Sequence, residues 1–171
     1  MKLFLIPASE ENINRTIERS VNISVAERFL DQSKFNELKR LLADKEEFHC
    51  WAMTESREYL FDEIESGDIA IFTVKGTGEF NFIAEIFHKT VCEDLGKYLW
   101  SYVPNKPWNL IYFLKNIKKI DINKANLVSD LGYDKDYVVP GSIVVSKHKF
   151  NELLRKDKYK QIKDYIDSLK Q

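Results

Sequence analysis

Short, dense apolar runs alternate along this chain with stretches in which apolar residues recur every three or four positions, and the two patterns predict different elements. Residues 2–6 (Lys-Leu-Phe-Leu-Ile) form a compact run closed by Pro7, as a first strand. Ser9 followed by Glu10, Glu11 and Asn12 marks a helix start, with carboxylates in the first turn opposing the dipole. Ile13, Ile17 and Val21 follow at four-residue steps, which predicts one helical face through about Ser20. Further helical stretches are predicted over 25–30 and 34–43, the second with Phe35, Leu38, Leu41 and Leu42 on one side. Residues 48–53 read as a strand, and a short helix near 57–65 is terminated by Gly67.

Residues 68–75 (DIAIFTVK) are almost continuously apolar, as a buried strand should be, and 79–91 (EFNFIAEIFHKTV) return after Gly76-Thr77-Gly78. Two apolar runs joined by a short glycine-containing link predict a hairpin. A helical turn over 93–100, a loop over 104–107 and a long strand over 108–122 follow. Then come a short helix over 123–131 ended by Gly132, a short strand over 142–145, and a last helix over about 146–169. Phe150, Leu153, Leu154, Ile162, Ile166 and Leu169 recur on that helix at helical spacing. Strands are not regularly interleaved with crossover helices, which argues against a doubly wound parallel sheet. The order predicts an α+β fold, a curved sheet or small β-barrel flanked by helices.

Length narrows this to one domain spanning residues 1–171, since 171 residues can enclose a single core. The apolar fraction is ordinary for a globular protein, and aromatic residues are generous, at three Trp, eight Tyr and eleven Phe. No apolar run approaches the ~20 residues that span a bilayer. The start, MKLFLIPASEEN, turns acidic too soon for a signal peptide. Cys50 and Cys92 are too few for a disulfide framework, so a cytoplasmic setting is expected. The net charge of −1 argues against indiscriminate nucleic-acid binding but leaves room for a local basic patch. Acidic residues crowd 10–68 and lysines crowd 115–163.

Catalytic signatures are absent from the sequence. Gly141-Ser-Ile-Val-Val-Ser-Lys147 lacks the second glycine of a phosphate-cradling loop, and Gly76-Thr77-Gly78 opens no helix. There is no G-x-S-x-G elbow and no H-E-x-x-H. His49, Cys50, His88 and Cys92 are zinc-like in type, but adjacent strand residues point to opposite faces, so His49 and Cys50 are poorly disposed to share an ion. No metal and no cofactor is expected.

Three separated segments carry a family likeness: Leu3-Phe-Leu-Ile-Pro-Ala-Ser-Glu-Glu-Asn12-Ile, Cys50-Trp51-Ala-Met-Thr-Glu-Ser56-Arg-Glu-Tyr-Leu, and the hairpin from Asp68 through Gly76-Thr-Gly78 to Ala84-Glu85-Ile86. Together they resemble the YTH and EVE branches of the PUA-like superfamily, whose members bind nucleic acid carrying a modified base in an aromatic-walled pocket. Relatives serve as N-terminal specificity domains of McrB-type modification-dependent restriction systems, ahead of a GTPase motor. The resemblance implies a base pocket with Trp51 as one wall and Tyr112 or Trp108 as the facing wall. Asn12, with Ser9, stands where the family reads the base edge. Phosphate contacts are expected from Arg57, Lys75, Lys115, Lys118 and Lys119.

The expected function is a non-enzymatic DNA-binding specificity module that takes a flipped modified base and works beside a GTPase motor region and a nuclease subunit. The alternatives are a reader of modified RNA, an ASCH-like enzyme using Glu85 as general acid or base, and a protein-interaction domain with an exposed apolar patch.

Overall fold

The computed structural model describes residues 1–100, 106–155 and 162–171. Its strands are β1 (Leu3–Ala8), β2 (Val21–Asn22), β3 (Glu47–Met53), β4 (Ile69–Val74), β5 (Glu79–Val91), β6 (Leu110–Asn123) and β7 (Ile143–Val144). Its helices are α1 (Glu10–Thr16), α2 (Ile23–Phe29), α3 (Gln32–Leu41), α4 (Glu58–Asp62), α5 (Glu93–Leu99), α6 (Lys124–Asp130), α7 (Lys147–Arg155) and α8 (Ile162–Ser168), with a 3-10 turn at Glu55–Arg57. The strands form one mixed sheet in the order β2-β3-β6-β5-β4-β1-β7. That order is open, so of the two expected forms the flanked sheet holds and the barrel does not.

The chain divides into two compact units, with β5 and β6 contributing to both. The first comprises Met1–Ser9, Asp68–Ala84 and Ile117–Gln171. Here β1 runs parallel to β4 and antiparallel to β7. Leu3, Leu5, Ile69, Ile71, Phe80 and Ile83 form a core with Leu127 and Val128 of α6, Phe150 and Leu153 of α7, and Tyr165 and Ile166 of α8. Buried Asp68 anchors the start of β1 by accepting the Lys2 amide at 2.7 Å.

Pro7 was expected to close the first strand, yet it lies inside β1. Ile69 N donates to Lys2 O and Lys75 N to Ala8 O, so even-numbered residues of β1 bond to β4. Odd-numbered residues face β7, where Val145 N meets Leu3 O and the pairing spans only Phe4 and Leu5. Pro7 therefore lacks an N–H on the side where no ladder partner needs one.

The second unit comprises Glu10–Gly67 and Glu85–Asn116. Antiparallel β3 and β6 pair from His49↔Leu114 to Met53↔Leu110. One face of this pair, carrying Cys50, Ala52, Ile111 and Phe113, packs with Ala26 and Leu30, Phe35 and Leu38, and Leu95 and Leu99. Asp31 caps α3 by accepting Lys34 N, as an N-cap carboxylate should.

Two further helix expectations need correction. The first helix stops at Thr16, short of Ser20, because Val21 leaves to pair with Phe48 as β2. Leu41, expected beside Leu38, is exposed, since α3 ends there and Ala43 and Asp44 turn left-handed. The last expected helix is described over α7 and α8; residues 156–161 lie outside the described residues, as does part of the 104–107 loop.

Candidate nucleic-acid interface

In an antiparallel pair the side chains of directly opposed residues share a sheet face, and Trp51 on β3 is directly opposed to Tyr112 on β6. Period-two alternation puts His49 and Met53 on that same face and Cys50 and Ala52 on the other. Both rings are sealed: Trp51 is 1% exposed and Tyr112 0%. Trp108, just before β6, is half-buried.

Trp51, Trp108 and Trp100 form a mutually contacting trio. Trp51 meets Trp108 edge-to-face at 5.8 Å between centroids and Trp100 at 6.3 Å, while Trp100 and Trp108 are tilted at 5.8 Å. Such geometries suit the ring quadrupoles. Gly96 of α5 makes the trio possible. A Cβ there would fall within 2.8 Å of the Trp108 carbonyl carbon, so only glycine lets the helix approach this backbone.

Helix α1 packs against the Trp51 face. His49 Nδ1 lies 3.2 Å from the Thr16 carbonyl; a hydrogen bond there requires the Nδ1–H tautomer. Asn12, one helical turn before Thr16, is buried on the same helix face. Ser9, which precedes α1, is exposed and belongs to the first unit.

Several buried polar atoms of this unit have no hydrogen-bond partner among the described residues: the Tyr112 hydroxyl, Trp100 Nε1, Thr16 Oγ1 and Asn109 Oδ1. Asn109 Nδ2 does donate, to Glu55 Oε1 at 3.1 Å. Each orphaned group costs about 1–3 kcal/mol unless something else satisfies it. Their neighbourhood is the aromatic trio: Tyr112 opposes Trp51, Asn109 follows Trp108, and Thr16 contacts the residue two before Trp51. Burial holds the Tyr112 phenol well above its ordinary pKa, with Cys50 adding to the effect, so it remains a neutral donor. Burial likewise pushes the Cys50 thiol up and leaves it inert.

The cationic residues expected at phosphates fall in both units. In the second, Arg57 donates to Tyr59 Oη at 3.0 Å, and Lys115 pairs with Glu85 at 3.0 Å. Asn116, left-handed in the middle of β6, donates to the other Glu85 oxygen. Glu85, the conceivable general acid or base, thus has both carboxylate oxygens engaged. In the first unit Lys75 and Lys119 are exposed, and Lys118 donates to the Lys170 carbonyl. Among the described residues no group of three His, Cys, Asp or Glu could hold a metal ion, and no helix is long and apolar enough to cross a membrane.

Trp100 and Lys124 are the residues that the sequence reading did not single out. A glycine inside the short α5, which costs about 1 kcal/mol against alanine, was the available signal that a backbone comes close there. For Lys124 the sequence held no signal beyond its charge.

The open mixed sheet with helices on its flanks is an α+β fold. No family model matches the sequence, and no curated protein matches it. Among solved structures the chain is similar to the N-terminal domain of Thermococcus gammatolerans McrB bound to m5C DNA. That match has TM-score 0.68 and 18% identity, and covers 93% of this chain and 100% of that one. It is also matched to the YTH domain of Zygosaccharomyces rouxii MRB1 in complex with N6-methyladenosine RNA, at TM-score 0.46 and 16% identity, covering 94% of this chain and 87% of that one.

Proposed function

We propose that residues 1–171 act as one recognition module that reads a modified base flipped out of DNA, with the Trp51 cluster as its pocket. The observation that carries this reading is the tryptophan trio with orphaned polar atoms beside it, set in the fold of a domain solved on m5C DNA.

A base leaving its stack forfeits a few kcal/mol, which stacking and edge hydrogen bonds must offset. Stacking on an aromatic ring contributes about 1–3 kcal/mol per base. With Trp51 and Tyr112 sealed, Trp108 is the ring that an incoming base stacks on or displaces. The Tyr112 hydroxyl and Trp100 Nε1 supply donors, and the Asn12 amide both donates and accepts. A base methyl adds about 0.8 kcal/mol of apolar burial, a fewfold preference by itself. Larger selectivity comes from an unmodified edge leaving one of these groups unpaired.

Arg57, Lys75, Lys115, Lys118 and Lys119 supply phosphate contacts. Because an exposed pair such as Lys115–Glu85 is worth at most about 1 kcal/mol, a phosphate can replace the carboxylate. The module performs no chemistry and needs no cofactor. It works in the cytoplasm beside a GTPase motor region and a nuclease subunit of a McrB-type restriction complex.

The test is fluorescence-polarisation binding at one fixed moderate salt. Matched duplexes would carry unmodified adenine, methylated adenine, or methylated or hydroxymethylated cytosine, with a methylated single-stranded RNA alongside. Tighter binding of one modified duplex, lost in Trp108→Ala, supports the reading and names the base. Preference for the RNA transfers the pocket to RNA. Affinity blind to modification in wild type and variant alike overturns it.

A further inference from the structure

The first unit carries a second candidate site of different chemistry. A cleft of about 410 Å3 opens between the end of β1 (Pro7, Ala8, Ser9), the β4–β5 turn (Lys75, Gly76, Gly78), Lys124 at the start of α6, and Val138–Val139. Its size falls within the ~300–1,000 Å3 typical of small-molecule sites. One side is apolar, with Pro7, Ala8 and Val139, and with Val138 left 70% exposed. The other side is cationic, and no carboxylate lines the cleft.

Neither the Lys75 nor the Lys124 ammonium has a partner among the described residues. Several other lysines are engaged, among them Lys34 with Asp31 at 3.6 Å, Lys115 with Glu85 at 3.0 Å, and Lys170 with Asp167 at 3.7 Å. In a chain of net charge −1, two unpaired cations on one cleft form a local anion site.

The turn between them is rigidly held. Buried Asn81 accepts Val74 N at 3.0 Å, Thr73 Oγ1 donates to Glu79 O at 2.8 Å, and Lys124 N donates to Gly78 O at 3.0 Å. Gly76 and Gly78 sit at φ of 91° and 70°, a region closed to most side chains, and their N–H groups make no hydrogen bond to the described residues. Two free amides, at Gly76 and Gly78 on either side of the Thr77 N–H that is bonded to Val74 O, lie beside the ammonium groups and suit the oxygens of a phosphate.

We propose that this cleft binds a nucleoside phosphate, the phosphate between Lys75, Lys124 and the glycine amides, and the base or sugar against Pro7, Val138 and Val139. The choice of ligand rests on the nucleic-acid reading above, and two sources share the chemistry: a nucleotide within a strand, or a free mononucleotide.

Amide NMR on the full chain tests it. Inorganic phosphate, a nucleoside, its 5′-monophosphate and a short unmodified single-stranded DNA are titrated while Gly76 and Gly78 are followed. Saturable shifts of both glycines with the monophosphate or the DNA, weakened about tenfold in Lys75→Ala/Lys124→Ala, are expected; both lysines are exposed or at the cleft rim, so folding is preserved. Tighter binding of the DNA identifies the strand as the source, and tighter monophosphate binding identifies the free nucleotide. In the DNA case the double variant also flattens the salt dependence, by about 1.4 in the log–log slope for two phosphate contacts on a single strand. Absence of saturable shifts, shifts indifferent to the double variant, or phosphate binding as tightly as the monophosphate would each overturn the proposal. Discrimination between modified and unmodified duplexes is scored separately. Its loss with the glycine shifts intact sinks the base-reading proposal and spares this one.

Discussion

Trp51 and Trp108 meet edge-to-face at 5.8 Å, one ring sealed in the sheet and the other only partly buried. This asymmetry separates stability from binding within one contact. Trp51→Ala removes a fully buried indole and should cost about 3–5 kcal/mol, read as a lower urea midpoint. Trp108→Ala should cost clearly less stability, yet lower affinity for the preferred modified duplex about 5- to 150-fold, the worth of one stacked base. Equal losses of stability in the two variants would argue that Trp108 is core.

Tyr112 supplies a sharper test, because its buried hydroxyl has no partner among the described residues. Tyr112→Phe removes an unsatisfied group while keeping the ring. Stability by chemical denaturation should be unchanged or rise by about 1–3 kcal/mol. Binding of the modified duplex should weaken in the same variant. A destabilised Tyr112→Phe would mean that the hydroxyl is satisfied in the free protein.

Gly96 governs how closely α5 approaches the Trp108 backbone. Gly96→Ala gains helix propensity but forces the carbonyl away, and overpacking of this kind costs about 1–3 kcal/mol. The expected result is a lower melting temperature together with an altered near-ultraviolet tryptophan dichroism. A more stable variant with an unchanged spectrum would show that the helix yields without strain.

Burial raises the pKa of Cys50 and Tyr112 above their ordinary values of 9.0 and 10.0. Both groups are protonated when folded and ionise more readily when unfolded. Their contribution is therefore complete below about pH 9 and lost as pH rises toward the folded values. Unfolding free energy should fall above pH 9 by about 1.4 kcal/mol per pH unit per group, and Cys50→Ala should delay the onset to about pH 10. On the acid side His88, whose pKa is lowered by burial and by Arg40 against an opposing Glu37, contributes stability above pH 6.5 that is lost as pH falls through its folded value. A flat alkaline limb in urea titrations would contradict the sealed environment of both groups.

Much of this was legible in one dimension because it depends on local signals. The hairpin over β4 and β5 follows from two apolar runs and a Gly-Thr-Gly link, and α3 from Asp31, Phe35 and Leu38. Failures came where a distant partner overrode a local pattern. Val21 continued the helical period of Ile13 and Ile17, but pairing with Phe48 took it into β2. Pro7 looked like a strand end, and only the two-residue length of β7 made it harmless inside β1.

The sequence by itself determined the class of fold and the aromatic residues available to a site, since periodicity, glycine links and residue type are local properties. Tertiary structure alone decided which of them meet. The antiparallel register set Tyr112 opposite Trp51, a close helix approach at Gly96 accompanied the joining of Trp100 to Trp108, and a turn fixed by Asn81 brought Lys75 onto the same cleft as Lys124. Those pairings join residues up to dozens of positions apart, and their geometry is set by strand register and packing, to which residue spacing along the chain is blind.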